Sequence, residues 1–317
     1  MAKYLVTGGA GFIGSHLVEE LLRRGETVRI ADNFSTGRRD AVPADGRVDL
    51  VEGDVADEAI AKKAVAGVDF VLHQAALPSV PRSIQDPAAA HRANVDATVQ
   101  VLVAARDAGV KRVVFAGSSS VYGNTPTLPK REDMRPSPLS PYALQKLVSE
   151  QYCQMFTSLY GLETVTTRYF NVFGPRQRPD SPYSGVISLF ISAFSEGRQP
   201  TIHGDGRQTR DFTFVGDVVR GVLRCCEAPN VAGEVMNLSV GGRISLLEVI
   251  HTLQTIYGKN IEPILGPERE GDVRDSQGDI YKARHLLGFE PSVPFEDGLR
   301  QTVAWYEENA GRAAARA

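Results

Sequence analysis

The sequence predicts a doubly wound α/β fold around a parallel sheet. Three observations carry this: short apolar strands alternate with amphipathic helices, a glycine-rich turn joins the first strand to the first helix, and a carboxylate ends the second strand. KYLVTG is an apolar run bounded by glycine and reads as a buried strand. GFIGSHLVEELLRRG puts Ile13, Leu17 and Leu21 on one helical face, and Gly25 closes that helix. TVRIAD and VDLVEGD give the next strands, followed by a helix over about 57–66, the strand VDFVLHQA, a long helix over about 87–108 and the strand KRVVFAGSS. In SPYALQK, Ser140 suits a helix N-cap and Pro141 the first helical position, so Tyr142 and Lys146 stand one turn apart on one face. ETVTTRYFNVFG, at 163–174, reads as a further sheet strand.

After Gly174 the texture changes, with GPRQRPDSPYSG rich in Pro, Gly and Arg and a less regular alternation beyond it. The expected organisation is a nucleotide-binding domain over 1–174 and a smaller, mainly substrate-binding α/β unit over 175–317, with segments returning to the sheet across a blurred boundary.

At 317 residues, 42% apolar, 23% charged and net charge −3, the chain is globular and lacks the basic surface that a nucleic acid needs. Cys153, Cys225 and Cys226 make no disulfide framework and are expected to be reduced, structural thiols. The six His residues show no metal-ligand spacing with Cys or carboxylates, so no metal site is proposed. MAKYLVTGG is too short an apolar run for a signal peptide, and no stretch approaches the ~18 apolar residues of a membrane span. The expectation is a cytoplasmic protein with no membrane partner.

TGGAGFIG places Gly8, Gly11 and Gly14 where a tight turn lets a pyrophosphate approach the backbone and the helix N-terminus. Asp32 follows Gly14 by 18 residues, where a carboxylate accepts hydrogen bonds from an adenosine ribose and repels a 2′-phosphate. This points to NAD, although Arg38 and Arg39 lie near enough to keep NADP open. Asp54 and Val55 end the third strand within reach of an adenine, and HQAA ends the fourth, with His73 read as a structural histidine. GSSSVYG brings Ser118 to the sheet's carboxyl edge, 24 residues before Tyr142. A strand-end Ser, a Tyr-x-x-x-Lys helix and the glycine turn are far more specific together than singly.

With these motifs in place the sequence resembles the extended short-chain dehydrogenase/reductase family from Lys3 to about Phe289, and within it the UDP-hexose 4-epimerases, particularly those acting on UDP-N-acetylglucosamine. The matching stretches are TGGAGFIGSHL, HQAALPSVPRS, SSSVYG, SPYALQK, RYFNVFGPRQRP, GDGRQTRDFTFVGDV and REGDVRDSQGD. The resemblance implies a Rossmann-like fold in which Tyr142 is the base, Lys146 its partner and Ser118 the hydroxyl helper, with Ser119 or Ser120 the alternatives in the tandem. It assigns NAD to Gly8, Gly11, Phe12, Ile13 and Gly14, to Asp32, Asn33 and Ser35, to Asp54 and Val55, to Gln74, Ala75 and Ala76, and to Asn94, Tyr142, Lys146 and Tyr169. The UDP-sugar falls to Ser119, Asn171, Gln177, Val186, Thr201, His203, Arg210, Arg269, Asp272 and Ser276. Two arginines from distant positions suit a diphosphate, and a small residue at Ser276 leaves room for an N-acetyl group, whereas Pro78 departs from the glycine of the closest N-acetyl-specific relatives.

A free tyrosine has a pKa of about 10, so service as a base near neutrality requires it to fall by roughly three, about 4 kcal/mol of selective phenolate stabilisation. The expected sources are the Lys146 ammonium and the positive nicotinamide.

SSSVYG lacks the Asp-Glu pair of the sugar dehydratases, and Ser120 stands where a decarboxylase carries Glu. A UDP-glucuronate 4-epimerase, with Arg82, Arg176 or Arg178 facing the carboxylate, is the alternative, and a non-catalytic NAD-sensing module is opposed by the intact Tyr-Lys pair. The resemblance also implies a homodimer through the helices near 87–108 and 142–160, with Val95, Val99, Leu102, Leu147 and Phe156 as apolar candidates.

Overall fold

The computed structural model describes residues 2–178, 185–268 and 273–314. Six strands, β1 (Lys3–Thr7), β2 (Thr27–Asp32), β3 (Val48–Glu52), β4 (Phe70–His73), β5 (Arg112–Ser118) and β6 (Glu163–Tyr169), join Val235–Leu238 in one sheet. Its order is Val235–Leu238, β6, β5, β4, β1, β2, β3, and every neighbouring pair is parallel. The order reverses between β4 and β1, which opens a crevice at the carboxyl ends of the strands. Register brings those ends level: Thr7 pairs with both Ala31 and His73, and Ser118 with Tyr169.

Apolar residues cover both faces, as the near-continuous apolar strands require. On one face, Leu17, Val18 and Leu21 of the helix Phe12–Arg23 pack with Val218, Val222 and Leu223 of Val215–Glu227. On the other, Ala61 and Val65 of Glu58–Val65 meet Val101 and Leu102 of Ala97–Asp107 and Cys153 and Phe156 of Pro141–Tyr160. Fully burying one such Leu or Val contributes about 1.5–3 kcal/mol. Val95, Leu102 and Phe156, offered above for a dimer face, are therefore spent in the core, at 5%, 1% and 5% exposure.

The anticipated starts and stops hold where capping chemistry set them. Ser140 Oγ accepts from Ala143 N at 3.2 Å, Pro141 opens the helix, and Gly161 ends it with φ 70°. Two expectations are corrected. The helix near 87–108 is not continuous: Pro87–His91 and Ala97–Asp107 flank a wide π turn at Arg92–Asp96. The Asn94 carbonyl within that turn accepts Thr98 Oγ1 at 2.6 Å and Ser149 Oγ at 3.0 Å. The strand expected over 163–174 stops at Tyr169, because Asn171 takes φ 24° and turns Val172–Phe173 out to pair with Thr213–Phe214. The three cysteines are free and buried, and burial pushes the Cys153 and Cys226 thiols up to about 12, so they pack as neutral groups. Among the described residues, no helix is long and apolar enough to cross a membrane.

One ion pair lies inside this core. Arg168 on β6 grips Glu150 on the helix Pro141–Tyr160 at 2.7 and 2.9 Å, with 3% and 4% side-chain exposure, and its guanidinium lies 4.7 Å over the Tyr122 ring. Replacing Arg168 alone strands a buried carboxylate. Arg168→Met should therefore lose about 3–5 kcal/mol in denaturant unfolding, and Arg168→Met with Glu150→Leu should recover most of it. Equal losses in the single and double variants would contradict this account.

Candidate active site

A cleft of about 1530 Å³ runs along the carboxyl ends of the strands. At one end the glycines of the first turn form its floor. Gly8 has φ 66°, and a Cβ there would stand 2.9 Å from Ala75 N. A Cβ on Gly14 would lie 2.1 Å from Gly8 O, so only glycine lets the helix come this close to the strand. Gly11 is the N-cap of Phe12–Arg23 and gives it no side-chain cap; Gly11, Phe12, Ile13 and Gly14 line the cleft. Uncapped N–H groups at a helix N-terminus attract an anion such as a pyrophosphate.

Asp32 ends β2 beside this turn, where its carboxylate accepts Ala10 N at 3.0 Å and Phe34 N at 2.8 Å. Arg38 and Arg39, the residues that kept a 2′-phosphate open, are already engaged. Arg38 pairs with Asp40 at 2.7 Å, and Arg39 pairs with Glu52 at 2.8 Å while lying 4.3 Å over the Phe34 ring. Asn33, Ser35, Asp54, Val55, Gln74, Ala75, Ala76 and Tyr169 all line the cleft. Tyr169 OH donates to Gln74 Oε1 at 3.0 Å, and Gln74 Nε2 is buried with no hydrogen-bond partner among the described residues. These features fit a dinucleotide. Asn94 does not line the cleft: it is 1% exposed and works behind the wall, accepting Leu77 N at 2.8 Å and donating to Gln145 at 2.9 Å.

Mid-cleft, Ser118, Tyr142 and Lys146 come together from β5 and the helix Pro141–Tyr160. Ser83 Oγ accepts Tyr142 N at 3.0 Å and ties the start of that helix to Val80–Gln85. The tandem serines separate clearly. Ser118 is the one whose side chain acts on Tyr142, favouring its phenolate, and its Oγ accepts Ser120 N at 3.2 Å and Ser120 Oγ at 2.8 Å. Burial raises the Tyr142 pKa above its ordinary value, and the Ser118 bond opposes that rise. The expected lowering by Lys146 is not found in the protein alone. The Lys146 Nζ donates to Ala116 O at 2.9 Å and sits 4.8 Å over the Phe115 ring, and burial brings its own pKa down to about 8. His73 is structural as expected: burial lowers it to about 3, and its ring nitrogens meet Thr7 Oγ1 at 2.7 Å and Thr98 Oγ1 at 3.1 Å.

At the far end, Ser119, Asn171, Gln177, Arg210 and Ser276 line the cleft. Asn171 Nδ2 donates to Ser276 Oγ at 3.1 Å, and Arg210 Nη1 is oriented by the carbonyls of Thr209 at 3.0 Å and Arg274 at 2.8 Å. Val186, Thr201 and His203 fall outside it. Val186 packs on the large core, and Thr201–His203 is pinned as a strand against Ile264–Gly266, with His203 Nδ1 at 3.3 Å from Pro267 O. Arg269 and Asp272 lie outside the described residues. Sequence reasoning missed Lys130, Tyr122 and Trp305, which also line the cleft. Lys130 is 2% exposed and donates to Thr125 Oγ1 at 2.6 Å, and only its place between two turns hinted at a buried cation.

Comparisons with known proteins agree with this geometry. The UDP-glucose 4-epimerase of Mycolicibacterium smegmatis is 38% identical over 313 residues, covering 97% of this chain and 99% of that protein. The structure of a UDP-N-acetylglucosamine 4-epimerase from Methanobrevibacter ruminantium superposes with TM-score 0.93 at 37% identity, covering 97% and 99% of the two chains. A UDP-glucuronic acid 4-epimerase from Bacillus cereus, solved with UDP-glucuronic acid and NAD, gives TM-score 0.90 at 34% identity, covering 97% and 99%. The family model described as the NAD dependent epimerase/dehydratase family matches residues 4–239, and the chain belongs to that family as an NAD-dependent enzyme with a Rossmann-like α/β fold.

Proposed function

We propose that this chain is a UDP-hexose 4-epimerase that interconverts UDP-N-acetylglucosamine and UDP-N-acetylgalactosamine, and the unacetylated pair alongside them. The observation that carries the reading is that Ser118, Tyr142 and Lys146 line one cleft together, with the glycine turn at one end. Tyr142 takes the proton from the sugar 4-hydroxyl, and Ser118 is its hydroxyl helper. Bound NAD supplies hydride acceptance and return at sugar carbon 4. Gly8, Gly11 and Gly14 hold its pyrophosphate, Asp32 its adenosine ribose, and Lys146 its nicotinamide ribose. Because burial raises the Tyr142 pKa, the base depends on groups that favour the phenolate, and Ser118 is the nearest of them. Between the two half-reactions the 4-keto sugar turns over while Asn171 and Arg210 keep hold of the nucleotide. Three unpaired buried cysteines suit a reducing, cytoplasmic setting.

Purified protein incubated with UDP-glucose, UDP-N-acetylglucosamine or UDP-glucuronate, without added cofactor, tests the reading by product analysis. Conversion of the uronate alone would favour the related glucuronate activity, for which Arg82 at the cleft rim offers a cation. Tyr142→Phe should keep NAD and the fold while losing at least a hundredfold in kcat, more than about 2.7 kcal/mol. Activity within tenfold of wild type would remove Tyr142 from the mechanism.

Substrate size rests on Ser276, whose Oγ accepts Asn171 Nδ2 and, at 3.4 Å, Asp211 N. Ser276→Tyr should lower kcat/KM for UDP-N-acetylglucosamine roughly 10- to 100-fold while largely sparing UDP-glucose. Ser276→Ala separates bulk from the lost hydrogen bond, and equal losses on both sugars would exclude a size filter.

The assembly proposed is a homodimer through the outer face of Pro141–Tyr160. Leu144, Val148, Tyr152, Met155 and Leu159 recur there at helical spacing, and Leu144, Met155 and Leu159 are 51%, 49% and 65% exposed. Light scattering at micromolar concentration should give twice the 34.4 kDa chain mass. Leu159→Glu should halve it, and a wild-type monomer would refute the assembly.

A further inference from the structure

The three consecutive serines perform different work. Ser118 Oγ has two lone pairs and one proton. Ser120 approaches it with its backbone N–H at 3.2 Å and its hydroxyl at 2.8 Å, so one residue addresses the same oxygen twice. The local backbone makes this possible. Ser118 is the N-cap of the short 3-10 turn Ser119–Tyr122, which folds Ser120 back over the strand end, and Gly123 N closes the turn on Ser120 O at 3.1 Å. A Cβ at Gly123 would come 1.9 Å from Ser137 O, so this turn is tightly held.

We infer that Ser120 is a positioning residue that fixes Ser118 as a hydrogen-bond donor toward Tyr142. The inference rests on the reading of Tyr142 as the base. A phenolate can only accept, so Ser118 must donate to it, and both lone pairs of Ser118 are then taken by Ser120. The chain Ser120 to Ser118 to Tyr142 points every donor toward the developing negative charge. Without the Ser120 hydroxyl, Ser118 can rotate to donate elsewhere, and the phenolate loses its preorganised partner. No proton crosses between residues 118 and 120 in this arrangement, so Ser120 acts only through the orientation of Ser118.

Other ionisable groups around Tyr142 leave this role open. On its own helix stands Lys146, bonded to Ala116 O. From β4 comes His73, held neutral between Thr7 and Thr98, and from β6 Tyr169, bonded to Gln74. Tyr122, in the serine turn, gives its hydroxyl to Asn237 at 2.7 Å. Arg82 of Val80–Gln85, Arg38, Arg92, Lys130, Arg176, Arg178 and Arg210 are the other cations lining the cleft among the described residues, while its carboxylates Asp32, Asp40 and Asp54 belong to the β2–β3 end. None of these directs the Ser118 proton.

The experiment is a pH titration of tyrosinate absorbance in the NAD-loaded protein, with Tyr142→Phe as the blank that isolates Tyr142. Ser120→Ala should move this ionisation up by about half a pH unit, about threefold in its equilibrium constant, because a bond favouring the charged form is weakened. Ser120→Thr, which keeps the hydroxyl, should restore it. Ser118→Ala with Ser120→Ala should match Ser118→Ala alone, and kcat of Ser120→Ala should converge on wild type at high pH. A purely structural role would instead lower activity equally at every pH. Should Ser120→Ala fail to fold, Ser120→Cys keeps the volume with a weaker donor and should shift the ionisation in the same direction. An unmoved ionisation in a folded variant, or a further shift from Ser120→Ala in the absence of Ser118, overturns the inference. A neutral-range ionisation that persists in Tyr142→Phe would remove Tyr142 as the base, and the relay with it.

Discussion

Everything in the cleft depends on how closely the first helix approaches the first strand. A Cβ on Gly14 would collide with Gly8 O at 2.1 Å and push Phe12–Arg23 away from the sheet, and one on Gly8 would meet Ala75 N, beyond β4, at 2.9 Å. That shift would move the uncapped helix N-terminus off the edge where β1, β2 and β4 end. The turn is thus a packing constraint first and an anion cradle second, and Asp32 follows from it, since its carboxylate caps Ala10 N within the same turn. One set of steric demands fixes the helix, the cradle and the carboxylate beside it.

Parallel register extends this order to the middle of the cleft. Strand ends brought level by continuous pairing put Ser118 beside Tyr169, and the helix Pro141–Tyr160 lays Tyr142 and Lys146 over them. The buried Arg168–Glu150 pair joins that helix to β6. Desolvating two charges is expensive, and an apolar pair of similar volume would serve stability as well or better. Its use here is consistent with directional bonds holding the helix in one position on the strand, which hydrophobic contact alone specifies less sharply.

Most of the N-terminal half was legible in sequence because its signals are local. Strand and helix periods, the Ser140–Pro141 cap and the glycine spacing each act within a few residues, and apart from the helix over 87–108 and the strand end after Tyr169 the elements formed where those signals placed them. The failures were long-range. The π turn at Arg92–Asp96 exists because Ser149 and Thr98 supply donors to the Asn94 carbonyl, and Ser149 is distant in sequence. Asn94, which the resemblance assigns to the cofactor, stands behind the cleft wall and brackets Leu77 and Gln145. Val186, Thr201 and His203 were carried over from a resemblance, and strand pairing with Ile264–Gly266 sets the last two outside the cleft. Among the tandem serines the resemblance favoured Ser118, and the bonds that Ser120 makes to it appear only in the folded turn.

Burial sets the electrostatic problem that the catalytic group must solve. It raises Tyr142 and lowers Lys146 to about 8, so the apolar surroundings oppose both charged forms at once. A sequence view that places the tyrosine next to a lysine expects attraction to do the work, but the ammonium gives one of its three donors to Ala116 O and does not lower the tyrosine in the protein alone. What the fold does place beside the phenol is Ser118, whose hydroxyl is itself held by Ser120 N and Ser120 Oγ. Such dipoles are fixed before any charge develops, and in a low-dielectric cleft they need no reorganisation when it does. The desolvation that penalises the phenolate is also what makes each of those donors count for more than it would in water.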